Sequence, residues 1–381
     1  MDFALSENHL AIQQVAREFT EKKILPRASE FDTSGKMDMN LAREMGAAGF
    51  LGVIVPEEYG GTGLDTLSYA IVMEELGRGC ASHSTIAGAH NSLFGYPVLT
   101  FGTEEQKKFY LPSICSGEKF AAFSLTEPGA GSDAGSIETT ATADGDDYIL
   151  NGNKIFVTNG AFADYIIIMA KTDKKAGARG ITAFLVHKEM RGLVIGHIEE
   201  KMGFHASPTT SLILEDLRVP KANILGKLGG GFRVAMESLN SGRISVAASA
   251  IGIGARAFEL ALKYSKERKQ FEQPISSFQL VQNHLANMYA RVESARWLVY
   301  NAAWRKDQGL DYATEAAMAK VVASEMATYV THRAIQVLGG YGYLREYEVE
   351  RLYREARLTE LFEGTSEIQR LVVARGLIKR G

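Results

Sequence analysis

YILNGNKIFV, residues 148–157, is where helical spacing of apolar residues gives way to a short run rich in Ile, Val, Phe and Tyr. Residues 165–171, 181–186 and 211–219 have the same character, and Asp144-Gly145 and Pro220 punctuate the series. No helical pattern alternates with these runs, so they predict one compact antiparallel β unit and not a chain of βαβ units.

Helical patterns lie on both sides. Upstream, Leu10, Ile12, Val15 and Phe19 recur between positions 6 and 24, and Pro26 closes the run; 41–48, 67–76 and 104–111 continue the theme. Downstream of Gly229-Gly230-Gly231, long helices are expected near 232–265, 276–308 and 312–338, the third with Met318, Val322, Met326 and Val330 stepping by four. The predicted protein is therefore mainly α with a β middle: an N-terminal helical domain over 1–120, a β domain over 121–228 and a helical bundle over 229–381. No internal repeat or low-complexity linker separates them, so shared interfaces are expected.

Composition narrows the function. A chain of 381 residues with 46% hydrophobic content exceeds what one growing core absorbs, and two or three subdomains follow. Lys+Arg 42 against Asp+Glu 45 gives a net charge of -3 with no basic stripe, which argues against nucleic acid. Cys80 and Cys115 are too few for a disulfide framework and lack metal spacing, so a reducing compartment and no metal site are expected. The N-terminus has no apolar leader, and no stretch approaches the roughly 18 apolar residues of a membrane span, so no membrane association is expected.

Four segments carry chemistry. LTELFEGTSEIQR, 358–370, sets Glu363 beside Gly364 in the turn before the last helix, which runs to about 379; Phe362 offers an apolar wall and Thr365 an N-cap. A carboxylate held there could be a general base, while the plain alternative is a solvated glutamate complementing the helix dipole. TEPGAGSD, 126–133, lies where helix gives way to strand, with glycines that free backbone N–H groups for a ligand. QVLGGYGYLREYEVERLYRE, 336–355, ends a helix on a double glycine that can both cap it and admit phosphate oxygens. ERKQFEQPISSFQ, 267–279, offers Arg268 for a pyrophosphate and Phe271 for stacking. By contrast, Gly252-Ile253-Gly254-Ala255-Arg256-Ala257 fits a dinucleotide string but lies inside a helical pattern with no preceding strand, so close helix packing explains it better.

In this order and at these separations the four segments resemble the acyl-CoA dehydrogenase family of flavoenzymes over essentially the whole chain. The resemblance implies a helical N-terminal domain, a middle antiparallel β-barrel and a C-terminal four-helix bundle, with FAD held at the barrel-bundle junction and by a neighbouring subunit of a homotetramer. It implies that Phe123, Leu125, Thr126, Gly131 and Ser132 line the flavin ring, together with Phe156 and Thr158 of NGNKIFVTNG; many relatives carry Trp where Phe156 stands. Arg268, Phe271 and Gln279 would serve the diphosphate and adenosine, Gln336, Gly339 and Gly340 would reach the FAD of a partner, and Thr365 and Glu367 would complete that pocket. Glu272 departs from the motif, which usually has Gly there.

Glu363 matches the family's base, and the alternative position of the base in some relatives falls on Gly242, which has no carboxylate. Desolvation between substrate and flavin is expected to raise the Glu363 pKa towards neutrality. The implied substrate residues are Ser132, Leu239, Asn240, Arg243, Phe362, Gly364, Asn91 and Phe94; for Arg243 a structural salt bridge is the competing reading. Residues 86–94, IAGAHNSLF, resemble the pocket-lining helix and hold no Arg, which weakens a dicarboxylyl substrate. MGFHASPTT, 202–210, is similar to a loop of relatives that oxidise ring-bearing acyl groups, although His205 fits a satisfied surface histidine equally well.

The implied activity is FAD-dependent α,β-dehydrogenation of a short-chain, branched or alicyclic acyl-CoA to the 2-enoyl-CoA, in fatty acid or carboxylic acid degradation. Electrons would pass to an electron-transferring flavoprotein. The location would be cytoplasmic in a bacterium or an organellar matrix in a eukaryote. A flavin oxidase of the same fold and a non-catalytic helical scaffold are the alternatives, separated by peroxide yield and by the colour of the purified protein.

Overall fold

In this computed structural model, which describes residues 4–380, the chain ahead of the first strand is helical. It contains α1 (Glu7–Phe19), α2 (Ala28–Ser34), α3 (Met39–Ala47), α4 (Thr66–Gly79), α5 (Ala81–Gly88), α6 (Tyr96–Phe101) and α7 (Glu104–Cys115). Local chemistry starts several of these helices: Ser6, Asp38 and Asp65 accept from first-turn N–H groups, and Thr103 and Gln106 cap α7 reciprocally. Helix α5 and the π-helical stretch Ala89–Gly95 escape a periodicity reading because they are buried on nearly every side and carry no amphipathic stripe.

The middle of the chain forms β1 (Ala121–Ser124), β2 (Thr140–Asp144), β3 (Asp147–Thr158), β4 (Tyr165–Lys171), β5 (Ile181–His187), β6 (Leu193–Ile198), β7 (Thr209–Pro220) and β8 (Ile224–Leu225). The strand order is β6-β7-β3-β2-β4-β5-β8, with β1 beside β4. Most neighbours are antiparallel, as the strand signals suggest; β1 runs parallel to β4, and one parallel bridge, Thr140 to Lys171, joins β2 to β4. By its hydrogen bonds the expected barrel is thus a sheet whose end strands, β6 and β8, do not pair.

Five helices follow: α8 (Gly231–Glu267), α9 (Gln279–Asp307), α10 (Ala313–Leu338), α11 (Val349–Thr359) and α12 (Ser366–Arg380). Between α8 and α9, β9 (Lys269–Gln270) and β10 (Gln273–Pro274) make a two-residue hairpin whose tip residues, Phe271 and Glu272, have φ of 52° and 65°. A turn with two positive φ values favours glycine, which is the physical sense of the Gly usually found at the position of Glu272.

Helix α8 is the axis of the molecule, packing on α4 to one side and on α10 to the other. A Cβ on Gly252 would stand 2.0 Å from the Glu74 carbonyl oxygen, one on Gly77 would meet Ser249 O at 2.5 Å, and one on Gly254 would meet Met326 Sδ at 2.7 Å. The apparent dinucleotide string is therefore a packing surface. By length and composition α8 would pass for a membrane span, contrary to the expectation from sequence, yet 78% of its apolar window is buried inside the fold. One buried apolar cluster joins the N-terminal helices to the bundle, a second lies between α7, the sheet and the start of α8, and a third fills the sheet.

Gly252→Ala should lower the urea-unfolding free energy by about 1–3 kcal/mol, the usual cost of overpacking, because the obstructing atom is backbone and cannot swing away. Equilibrium unfolding of the variant against the parent checks this.

Candidate active site

The turn between α11 and α12 is built from two consecutive left-handed residues, Glu363 at φ 52° and Gly364 at φ 98°. The second needs glycine twice over, since a Cβ there would also stand 2.5 Å from Gln369 Nε2. The first is a non-glycine residue in a conformation that costs free energy and persists only where its surroundings impose it. Gln369 Nε2 donates to Glu363 O at 3.1 Å and to Gly364 O at 2.9 Å, and Lys320 Nζ donates to Gly364 O at 2.7 Å. Both donors are fully buried. Thr365 then caps α12, its Oγ1 accepting from Ile368 N–H at 3.4 Å.

This turn swings the Glu363 side chain over α8. A Cβ on Gly242 would lie 1.9 Å from Glu363 Oε2, so the carboxylate occupies the space that a side chain at 242 would fill. The residue as a whole is half-buried, but Oε2 is shut off from solvent and has no hydrogen-bond partner among the described residues. Burial pushes its pKa up to about 7, against the opposing pull of the Lys320 and Arg243 charges. That is the range in which a carboxylate can both hold and release a proton at neutral pH.

Arg243, the residue of α8 after Gly242, is buried and donates to the Asn240 carboxamide through Nη1, while its Nε finds no partner. No carboxylate lies within ion-pair distance of it among the described residues, so the salt-bridge reading is not realised. Leu239, one turn earlier, packs into the cluster that contains Phe123 and Leu125, which brings the 123–133 segment and the Glu363 turn to neighbouring stretches of one helix.

That segment is held by a buried ion pair. Lys154 of β3 is fully buried, and its Nζ donates to Glu127 Oε1 at 2.7 Å and to Leu125 O at 3.0 Å; Glu127 also accepts from the backbone of Glu138 and Thr139. Beyond the staple, Gly131 and Ser132 are exposed, and a Cβ on Gly131 would meet no atom within 4 Å. The β3 ladder shifts register between Lys154 and Val157, which turns Phe156 outward at φ 55° and 62% exposure, with Thr158 just beyond. An open glycine loop beside an exposed aromatic ring and the unpartnered buried Ser124 Oγ fit a planar polar cofactor ring.

The second expected cofactor group gathers elsewhere. Arg268, Gly339 and Gly340 line one cavity of about 460 Å³ with Tyr264, Gln270 and Tyr341, and the Arg268 guanidinium lies 5.7 Å from the Tyr341 ring centre. No atom lies within 4 Å of a Cβ built on either glycine; Phe271 (87% exposed) is on the adjoining hairpin, and Gln336 near the end of α10 and Gln279 at the start of α9 are also exposed. Residues assigned from resemblance to two different cofactors, Arg268 and the 339–340 glycines, thus share a single cavity of one chain. Sixteen to eighteen residues of α10 separate this end from Lys320, roughly 24–27 Å at the helical rise. The cavity and the Glu363 turn are separate places on one protomer. Thr365 is half-buried and Glu367 exposed, both at the Glu363 end.

Two of the expected pocket residues are enclosed. Asn91 is fully buried, with Nδ2 donating to Phe50 O and Ala87 O, both at 2.9 Å, and Oδ1 accepting from Ile54 N–H, which leaves its amide engaged by backbone. Phe94 is likewise fully buried, its ring against Tyr110 and Tyr165, so it faces core and not an open cavity. His205 is satisfied by Asp32 and by the Lys201 carbonyl, whereas the adjacent Phe204, buried at φ 55°, sets its ring 6.0 Å from that of Phe362. Sequence reasoning missed Lys320, Gln369 and the Glu127–Lys154 pair. A charged residue inside the apolar run AAMAKVVA was the available signal for Lys320.

Among known proteins, family models for the acyl-CoA dehydrogenase N-terminal, middle and C-terminal domains match residues 6–118, 122–217 and 229–378. The short-chain specific acyl-CoA dehydrogenase of Clostridium acetobutylicum is 46% identical over 374 residues, 98% of this chain and 99% of that protein. The solved butyryl-CoA dehydrogenase of Megasphaera elsdenii superposes with TM-score 0.98 at 44% identity, covering 99% of this chain and 100% of that one. A solved chain from work on the electron transferring flavoprotein of Acidaminococcus fermentans superposes with TM-score 0.98 at 49% identity, over the whole of both chains.

Lys154→Met should lower the unfolding free energy by about 3–5 kcal/mol, since it leaves Glu127 buried without its cation, and the absorbance ratio of bound flavin to protein should fall with it. Glu363→Gln should act in the opposite direction. The free acid titrates near 4.5 and the buried one near 7, so the unfolded chain loses its proton first and the fold loses stability as pH rises across that window. The variant should match the parent below about 4.5 and exceed it by a constant margin above about 7, read as urea midpoints against pH.

Proposed function

This chain belongs to the acyl-CoA dehydrogenase family, whose members are FAD-dependent oxidoreductases, and from that premise we propose that it desaturates a short-chain acyl-CoA with Glu363 as the base. The observation that carries the reading is a carboxylate with one oxygen shut from water and unpartnered, held by a strained turn, and titrating near 7.

Bound FAD supplies the acceptor for two electrons; everything else in the step is work for this chain. Residues Phe123, Leu125, Thr126, Gly131, Ser132, Phe156 and Thr158 would hold the ring, and Arg243 with Asn240, Leu239 and Ser132 would hold the thioester arm. Glu363 takes the proton from the α-carbon as the β-carbon loses hydride on the opposite face. Enolate charge developing on the thioester oxygen needs a donor, and the Glu363 backbone N–H has no protein acceptor among the described residues. The Gly242 backbone lies against the carboxyl and excludes water there, which keeps its basicity high.

Short straight-chain acyl groups are the preferred substrates in this reading, supported by the short-chain specific and butyryl-CoA relatives. Branched or alicyclic acyl groups are the second reading, favoured by the Phe204–Phe362 ring contact beside the base. Electrons would pass to an electron-transferring flavoprotein, an acceptor supported by the neighbour from the Acidaminococcus work. The 268–340 cavity would receive the nucleotide end of a partner's FAD, which makes the assembly an oligomer. A homotetramer is the form proposed, in keeping with exposed Leu371, Leu377 and Ile378 on α12. The domain limits 1–120, 121–228 and 229–381 and a location in a reducing cytoplasm or organellar matrix belong to the same reading.

Anaerobic bleaching of the bound flavin by a panel of thioesters tests it. Butyryl-CoA should bleach faster than isobutyryl-CoA or cyclohexanecarboxyl-CoA, and glutaryl-CoA should fail. Glu363→Gln should keep its flavin and lose about 10²- to 10⁴-fold in bleaching rate, the scale of general-base catalysis. Wild-type rates in that variant remove Glu363 from the step.

A further inference from the structure

Resting on the reading of Glu363 as base, a second residue enters the reaction without touching the substrate. Lys320 lies within α10, fully buried, in the run Ala316 to Val322 that is otherwise apolar. A buried ammonium is costly unless it is paired, and no carboxylate lies within ion-pair distance of its Nζ among the described residues. Its acceptor is instead the Gly364 carbonyl at 2.7 Å, the bond that, with the two from Gln369, fixes the turn carrying Glu363.

We propose that Lys320 is a positioning residue for the reaction: it clamps the left-handed Glu363–Gly364 turn through the Gly364 carbonyl, and its positive charge favours the ionised base.

The charges around the pair support this. Glu363 faces Lys320 from α10 and Arg243 from α8, both favouring the carboxylate, while Tyr69 of α4, its phenol raised far above the ordinary value by burial, stays neutral. Lys320 is drawn down to about 8 by burial first, with the Arg243 charge acting the same way, against Glu363, Glu360 and Glu367, which favour its ammonium form. Each of the two groups favours the other's charged form, so their titrations are linked. The clamp and the charge are separable, because an uncharged amide can still donate to a carbonyl.

The test compares FAD-loaded wild type, Lys320→Gln and Lys320→Met by the pH dependence of anaerobic bleaching at saturating butyryl-CoA, with thermal midpoint and flavin content as controls. An infrared titration of the protonated Glu363 carboxyl, with Glu363→Gln as the blank, reads the base without any turnover. In Lys320→Gln the rising limb and the infrared titration should both move to higher pH by about one unit, the typical effect of one neighbouring charge, with the high-pH plateau retained. Lys320→Met should show the same displacement and lose roughly tenfold to a hundredfold on the plateau, the scale of a misplaced catalytic group. An unmoved limb in folded, yellow Lys320→Gln overturns the charge role, and equal plateaus in the two variants overturn the clamp. Should both variants lose flavin, the infrared titration of the flavin-free proteins decides: a Glu363 band that titrates at the same pH in Lys320→Gln as in wild type overturns the charge role. Loss of activity in Glu363→Gln together with an unmoved Lys320→Gln limb removes this inference alone, whereas full activity in Glu363→Gln removes the reading beneath it.

Discussion

One carboxylate oxygen rests over bare backbone at Gly242, close enough that no side chain could stand between them, and the surrounding structure is arranged around that contact. Helix α8 must present glycine there; the turn before α12 must take two left-handed residues in succession; and the turn's carbonyls must be gripped by buried donors on α10 and α12. Each requirement costs stability by itself. Together they place an acid where water cannot solvate its ionised form, and that exclusion brings its titration to neutrality.

Other buried carboxylates show which effect wins where. Glu127 is buried, yet Lys154 at 2.7 Å and two backbone donors outweigh its desolvation and hold it below the ordinary carboxylate range. Glu355 has Arg351 at 2.9 Å, but burial dominates and its pKa is raised. Glu363 has no hydrogen bond at Oε2 and only cations beyond contact, which leaves burial in control and the acid chemically available. The protein uses full pairing where it needs rigidity, under the loop at 126–133, and withholds pairing where a proton is to move.

Much of this was legible in the chain. The change of period at residues 148–157 located the β unit, and the three long helices of the bundle fall within a few residues of their expected limits because their spacing and flanking glycines are strong signals. Helix α5 and the π-helical stretch behind it gave no periodicity signal, because buried segments carry no alternating face; only resemblance marked 86–94 as helical. Strand β6 lies at an end of the strand path with much of it exposed, so no buried stripe marks it. At the site, the Glu363 carboxylate lies over α8 near Arg243, whereas Asn91 and Phe94 are enclosed, and helical position in a sequence does not disclose which way a side chain points. Gln369 and Lys320 approach from other turns and another helix, and contacts of that kind have no local signature.

The crowding at Gly242 also constrains how such a protein could change over time. A glutamate introduced at 242 would collide with the one at 363, and removing the one at 363 first would leave neither position acidic. Neither substitution is tolerable alone, so relocating the acid from one helix to the other demands both changes at once: two peaks divided by a valley.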